Sequence, residues 1–248
     1  MNRIRHMIHD HQDAFGHAMY DYSLGKDGYE IVERDDGYCD ISGGPRVYFS
    51  QYRDWPVHYK KAVRLAGGRV LDIGCGAGRI GLYLQADGFK VVGIDSSPKA
   101  LQTCRKRGLK NVREMSITQV SSKLGKFNTL IMLGNNFGLM GDFRRARWLL
   151  RRFRAITKPG AIIIAESNEY TDTAEPFHLQ YHRRNKRRGR MPGQCRIRIR
   201  YKTYITPWFD YLLVTRDEMK HIVEGTGWFV ERFIDSAGPA YIAVIKRD

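Results

Sequence analysis

The chain has 248 residues, a hydrophobic fraction of 42% and a formal net charge of +16. That length suits one domain with an elaboration, no apolar run approaches the ~20 residues of a membrane-spanning helix, and the opening stretch through Phe15 lacks the apolar segment of a secretory signal. Four cysteines (Cys39, Cys75, Cys104, Cys195) have no CxxC spacing, which argues for a reducing, cytoplasmic setting and against a zinc site or disulfide framework.

Residues 1–55 read as an N-terminal extension that serves as a lid. Ile4, Ile8, Phe15 and Met19 fall near helical spacing, predicting a helix between Ile4 and Tyr22. His6, His9, His11 and His17 lack carboxylate partners at ligand spacing and read as solvated, so no metal is expected. Asp35-Asp36-Gly37 marks a turn between two short extended pieces. Val47 to Pro56 is dense in aromatics; Pro56 starts a helix to Leu65, and Gly67-Gly68 ends it.

Residues 56–248 read as the main domain. Arg69 to Ile73 predicts a buried strand, Gly74-Cys75-Gly76-Ala77-Gly78 a tight turn, and Ile80 to Leu84 the start of a helix. Strand, glycine turn and helix form the ligand-binding corner of a doubly wound α/β fold, because glycines let the backbone approach a ligand. Asp95 ends the next apolar strand about twenty residues later, where an acid can accept from both ribose hydroxyls. Asp72 sits inside the first strand; a carboxylate there repels a pyrophosphate but suits an amino group or a sulfonium. Arg79 stands where a dinucleotide fingerprint needs its third glycine. The alternation continues with a helix at 98–107, a short strand at 112–115, a strand at 128–133, a loop from Gly134 to Gly138 and a helix at 142–156. Lys158-Pro159-Gly160 then turns into a strand at 161–166. Such alternation implies a parallel sheet with helices on both faces. Thr215 to Glu218 is a capping box, and two strands, Trp228 to Ile234 and Ala240 to Ile245, pair antiparallel across a short link.

In this order, LDIGCGAGR, VVGIDSSP and KPGAIIIAE resemble the first motif, the second motif and the strand after the fourth motif of class I S-adenosylmethionine-dependent methyltransferases. The resemblance covers residues 69–160 well. It implies an α/β fold with a doubly wound, seven-stranded, mostly parallel sheet whose last strand is antiparallel, and S-adenosyl-L-methionine as cofactor. It places Gly74, Cys75 and Gly76 against the cofactor, Asp72 toward its amino end, Asp95 on the ribose and Ser96 near the adenine edge. Ser116 and Ile117 stand where the family often carries an acid for the adenine amino group, a departure from the pattern. Leu133, Gly134 and Asn135 fall beside the sulfonium. The segment before the first strand folds over the cofactor in this family, which makes Tyr48 and Tyr52 candidates to close the site, although such aromatics also pack as ordinary core. Asn136, Glu166, Tyr170, His178 and His182 are candidates on the substrate side; a catalytic base is not readable. A nicotinamide or flavin enzyme fits Asp72, Arg79 and the reversed last strand poorly.

Residues 167–214 form an insertion too long for an ordinary crossover. From Phe177 to Phe209 there is no acidic residue. His182 to Arg190 reads as an exposed basic loop. Cys195, Ile197, Ile199 and Tyr201 then alternate with Arg196, Arg198, Arg200 and Lys202, predicting a half-buried strand with one basic face. With Thr203 to Ile205 and Tyr211 to Val214 it predicts a small antiparallel β insertion over the substrate side. Basic residues 183–202 either track a nucleic-acid backbone or belong to the roof of a small-molecule pocket. No Asn-Pro-Pro-Tyr-type motif follows the strand at 128–133, where base-modifying relatives of the resembled family carry one. The expected function is methyl transfer to a small-molecule acceptor. The alternatives are an RNA or DNA methyltransferase and a non-catalytic adenosyl-ligand or nucleic-acid-binding protein on the same fold.

Overall fold

The computed structural model describes residues 8–248, so Ile4 and His6 lie outside the described residues. In chain order the elements are α1 (Ala14–Ser23), β1 (Ile31–Arg34), β2 (Cys39–Ile41), α2 (Val57–Val63), β3 (Arg69–Ile73), α3 (Arg79–Ala86), β4 (Lys90–Asp95), α4 (Pro98–Lys106) and β5 (Val112–Glu114). They continue with β6 (Phe127–Met132), α5 (Phe143–Arg154), β7 (Thr157–Asn168), α6 (Pro176–Arg187), β8 (Gln194–Tyr201), β9 (Tyr204–Ile205), β10 (Phe209–Leu212), α7 (Arg216–Val223), β11 (Trp228–Asp235) and β12 (Ala240–Arg247). No helix of the described residues is long and apolar enough to cross a membrane.

Seven strands form one sheet in the order β11-β12-β7-β6-β3-β4-β5. The pairs from β7 to β5 are parallel, while β12 runs antiparallel to both β7 and β11. Successive strand residues alternate between the sheet's two apolar layers, as a period of two requires. Leu71, Leu130, Ile163 and Ala243 face the layer containing α5 and α7. Val70, Ile131, Ile164 and Ile242 face the layer containing α2, α3 and α4. Both sides are therefore buried, which explains the unbroken apolar runs in the sequence. Lys158-Pro159-Gly160 is not a turn ahead of β7 but an irregularity within it: the pairing with β6 skips from Phe127–Thr157 to Thr129–Ile162.

A second, antiparallel sheet joins the two ends of the sequence reading. β1 and β2 form the hairpin turned at Asp35-Asp36-Gly37, β1 pairs with β8 of the insertion, and β10 and β9 complete the five strands. The basic run does not form a loop. From Pro176, at the first helical position, to Arg187 it is helix α6. Arginine, lysine, glutamine and leucine are good helix formers, and burial of Tyr181 and Asn185, one turn apart, supplies the docking face. The basic face of β8 stays partly exposed, but its arginines are paired. Arg198 and Arg200 both bond Glu33 on β1, and Arg196 lies 3.5 Å from Asp210 on β10.

Helix α1 fastens this second sheet to the first. The carboxylate of buried Asp13 accepts from Gly16 N in its own helix (3.1 Å) and from Lys99 N in α4 (3.0 Å), satisfying one donor at the N-terminus of each. His17 is buried rather than solvated: it stacks on Tyr204 at 3.6 Å and bonds Asp10.

Hydrogen bonds from Arg198 and Arg200 hold the Glu33 carboxyl down to about 2. A depressed carboxylate stabilises the fold above its unfolded value of 4.5 and loses that contribution as pH falls toward 2. Glu33→Gln is therefore expected to lower the thermal midpoint at pH 7 and to flatten the loss of stability across that acid window. Circular-dichroism melts over the range check it; a variant with the wild-type acid limb would remove Glu33 as its cause.

Candidate active site

The glycine turn between β3 and α3 lies over the end of β4, with the amides of Gly74 and Cys75 donating to Ile94 O at 2.8 and 3.0 Å. Gly74 has φ +71°, and a Cβ there would come within 2.6 Å of the Asn136 amide nitrogen. Asn136 uses that space to donate to the carbonyls of Ile73 and Gly74, stapling the loop after β6 to the turn. Asp95 accepts from Gly76 N and Ser97 N, both at 2.9 Å, which fixes its carboxylate at the cleft floor. Burial raises its pKa against those amides. Asp72 is 4% exposed, and its Oδ2 has no partner. Burial pushes its carboxyl up to about 7, with Arg79 pulling the other way.

The loop after β6 is held from below. Glu166, near the end of β7, accepts from Gly134 N, Asn135 N and the Tyr59 hydroxyl on α2. Asn135 takes a left-handed conformation (φ 59°), which asparagine tolerates better than most residues. Its carbonyl accepts from Tyr211 Oη at 2.5 Å, while its side-chain Oδ1 is buried without a partner. The Tyr211 ring fills the place a side chain at Gly138 would need.

These elements enclose one cleft of about 1020 Å³ between the two sheets. Asp72, Gly74, Cys75, Gly76, Asp95, Ser96, Ser116, Ile117, Leu133, Gly134 and Asn135 all line it, as do Tyr48, Asn136, Tyr170, His178 and His182. Two candidates do not. Tyr52 stacks on Tyr83 at 4.5 Å and accepts from Arg64 Nε on the far side of α2, because Trp55 and Tyr83 offer it an aromatic surface there. Glu166 is spent beneath the loop and faces no substrate. Tyr170 lines the cleft by its ring alone, since its hydroxyl donates to Glu218 at 2.7 Å. Sequence reasoning missed Asp13, Met19, Arg34, Arg145 and Tyr211, all of which line the cleft. The one local signal was Gly138, a glycine in an apolar stretch, which marks the close approach of Tyr211.

The lining fits an adenosyl ligand bearing an amino group. Orphaned Asp72 Oδ2 needs a donor, Asp95 keeps acceptor capacity beyond its two amide bonds, and the bare Cα of the glycine turn leaves room for close approach. Substituting Glu166→Ala strands two loop amides and a buried phenol, so unfolding in urea should lose at least about 2 kcal/mol. Unchanged stability would show that the loop is held by other means.

Comparison with known proteins agrees with this geometry. Residues 70–160 match a family described as a methyltransferase domain. Mouse (Mus musculus) glycine N-methyltransferase is 28% identical over 120 residues, covering 41% of each chain. A tRNA (uracil(54)-C(5))-methyltransferase of Pyrococcus horikoshii is 47% identical over 142 residues, covering 55% of this chain and 33% of its own. The chain thus spans well under half the length of these curated relatives. A Bacteroides fragilis SAM-dependent methyltransferase, solved with S-adenosyl-L-homocysteine, superposes with a TM-score of 0.82 at 22% identity over 97% of both chains, a likeness of fold. The strand order, the reversed β12 and the glycine turn at the head of the matched segment make one consistent whole with the methyltransferase-domain family that residues 70–160 match.

Proposed function

We propose that this protein transfers a methyl group from S-adenosyl-L-methionine to an amine nitrogen of a small-molecule acceptor. The observation that carries the reading is an inversion of charge. The protein is strongly basic, yet the acceptor half of its cleft presents Asp40, Glu169, Asp172 and Asp210 against Arg34 and Arg145. Arg34 is paired with Asp36, Glu169 with Arg216 and Asp210 with Arg196, which leaves Asp40 and Asp172 against Arg145. Such a lining attracts a cation and repels a phosphate chain. The partnerless Oδ1 atom of Asn135 likewise calls for a donor, which an amine supplies.

Bound in this cleft, S-adenosyl-L-methionine supplies a methyl on a cationic sulfonium and leaves as the neutral thioether. Asp72 would hold its amino end, Asp95 its ribose hydroxyls, and Ser116 and Ile117 would lie beside its adenine. Asn135 Oδ1, buried without a partner, would accept from the acceptor N–H and hold the nitrogen in place. The nitrogen gains the methyl and gives its surplus proton to water. No side chain of the lining suits a strong base: burial raises the Tyr48 phenol and lowers both imidazoles, His182 to about 4. An amine that enters as the ammonium and sheds that proton to solvent before attack needs none.

The second reading, a nucleic-acid methyltransferase, is favoured by one surface. Arg183, Lys186, Arg187 and Arg188 lie on or beside α6. Elsewhere much of the positive charge is internal. Arg147 donates to the last carbonyls of α7, Arg152 to Val120 O, and Arg247 to Thr157 O.

Two measurements test the reading. In calorimetry with S-adenosylhomocysteine, Asp95→Ala should weaken binding by on the order of 1.5–3 kcal/mol. Wild-type affinity should rise as pH climbs through about 7, because Asp72 then becomes the anion that attracts the ligand's ammonium, and Asp72→Asn should flatten that rise. Unchanged affinity in Asp95→Ala takes the ribose role away from it. Separately, release of S-adenosylhomocysteine is expected with small primary amines and not with generic RNA. Submicromolar RNA binding that falls with salt and is lost in Arg187→Ala/Arg188→Ala would favour the nucleic-acid reading. Cofactor binding without turnover of any acceptor would favour a non-catalytic protein.

A further inference from the structure

Beneath the second sheet lies a cluster that methyl transfer, as described, leaves unused. Arg34, at the end of β1, is 5% exposed. Its Nε and Nη2 both donate to Asp36 at 2.8 Å. Its guanidinium sits 4.1 Å from the Tyr181 ring centre and 4.9 Å from that of Tyr38. So clamped, it directs Nη1 at Nδ1 of His178, 3.0 Å away. A guanidinium can only donate, so Nδ1 accepts and the proton of the neutral ring sits on Nε2. One turn along α6, His182 lies on the same helix face, its ring edge-on to Tyr170 at 4.8 Å. Both imidazoles line the cleft.

We propose that Arg34 is a positioning residue that fixes His178 as an Nε2–H donor, and that His178 and His182 together form an uncharged subsite reading a neutral polar group, such as a hydroxyl, on the acceptor away from its methylated nitrogen. The proposal rests on the small-molecule amine reading. Its physical content is that neither ring gains charge at neutral pH. A proton arriving on His178 Nδ1 would face Arg34 at hydrogen-bond distance. Burial and Arg34 hold this imidazole below its usual range, against the pull of Glu175, Asp36 and Asp40. Burial, His178, Arg34 and Lys186 hold His182 down to about 4. Tyr38, Tyr170 and Tyr181 complete the surroundings without a charge of their own. A hydroxyl therefore meets the Nε2–H donor of His178, and neutral His182 carries one nitrogen able to accept, whereas a charged tail meets no ion of opposite sign on either ring.

The test uses the full chain, histidine-labelled with 15N and saturated with S-adenosylhomocysteine. In wild type the His178 signals should report the Nε2–H tautomer without titrating near 6.5, the usual imidazole value. In Arg34→Met the midpoint should move up toward that value, with burial still holding it below, and the Nε2–H tautomer should no longer be enforced. If that variant does not fold, Arg34→Lys, which keeps the charge and a donor, should preserve the tautomer. Adding 6-amino-1-hexanol should shift the His178 and His182 signals, and hexylamine should shift them much less. In turnover, the hydroxylated amine should have the lower KM by about tenfold, the worth of one or two neutral hydrogen bonds. His182→Phe should cut that preference to about twofold or less with S-adenosylhomocysteine affinity retained. A wild-type His178 that titrates near 6.5, equal shifts with both amines, or a hydroxyl preference that survives His182→Phe would each overturn the proposal. Absence of methylation on either amine would instead sink the amine reading, and the tautomer and shift measurements would still decide the subsite.

Discussion

The cleft exists because β1 pairs with β8. Residues 31–34 lie against 197–200, from opposite ends of the chain, and Glu33 ties the two strands through a pair of arginines. Neither side could stand alone. The β1–β2 hairpin is two short strands, and isolated hairpins of that size are marginal in water. The insertion strand has an apolar face, Ile197, Ile199 and Tyr201, that needs α1 and its neighbours to cover it. Once paired, they place a roof over the glycine turn, and the open edge of a parallel sheet becomes an enclosed cleft. The crevice at the strand ends is where α/β folds bind ligands; here the roof decides what else fits beside the cofactor.

That roof also rearranges charge. Arginine is abundant in the sequence, but many guanidiniums are turned to carbonyls at helix ends or to carboxylates across strands, where their forks satisfy groups the backbone leaves unpaired. Net charge therefore says little about the cleft.

The doubly wound core was legible because its signals are local: an apolar run, a glycine turn, an acid at a strand end, a capping box at Thr215. The residues expected on the cofactor side all line the cleft, since each belongs to a loop fixed by those same local elements. The roof was not legible. Pairing between residues more than 160 positions apart leaves no local pattern beyond alternation, and alternation on β8 does not name its partner. Charge density hid the helical period of α6, where only Tyr181 and Asn185 are buried. Aromatic density around Tyr52 could not say which side of α2 the ring would choose, and Glu166 looked the same whether it faced a substrate or three donors beneath a loop.

Asp13 carries a consequence for how the protein comes apart. One carboxylate serves the first turns of α1 and α4, one helix in the N-terminal segment and the other in the Rossmann-like layer. Separating the two leaves an unsatisfied amide on each side at once, and Met19 leaves the surface of Ala77 and Ala100 in the same movement. The segment that carries α1 therefore does not fray as an independent appendage. It belongs to the same cooperative unit as the sheet beneath it, so hydrogen exchange in α1 should be governed by the opening of α4 rather than by its nearness to the chain terminus.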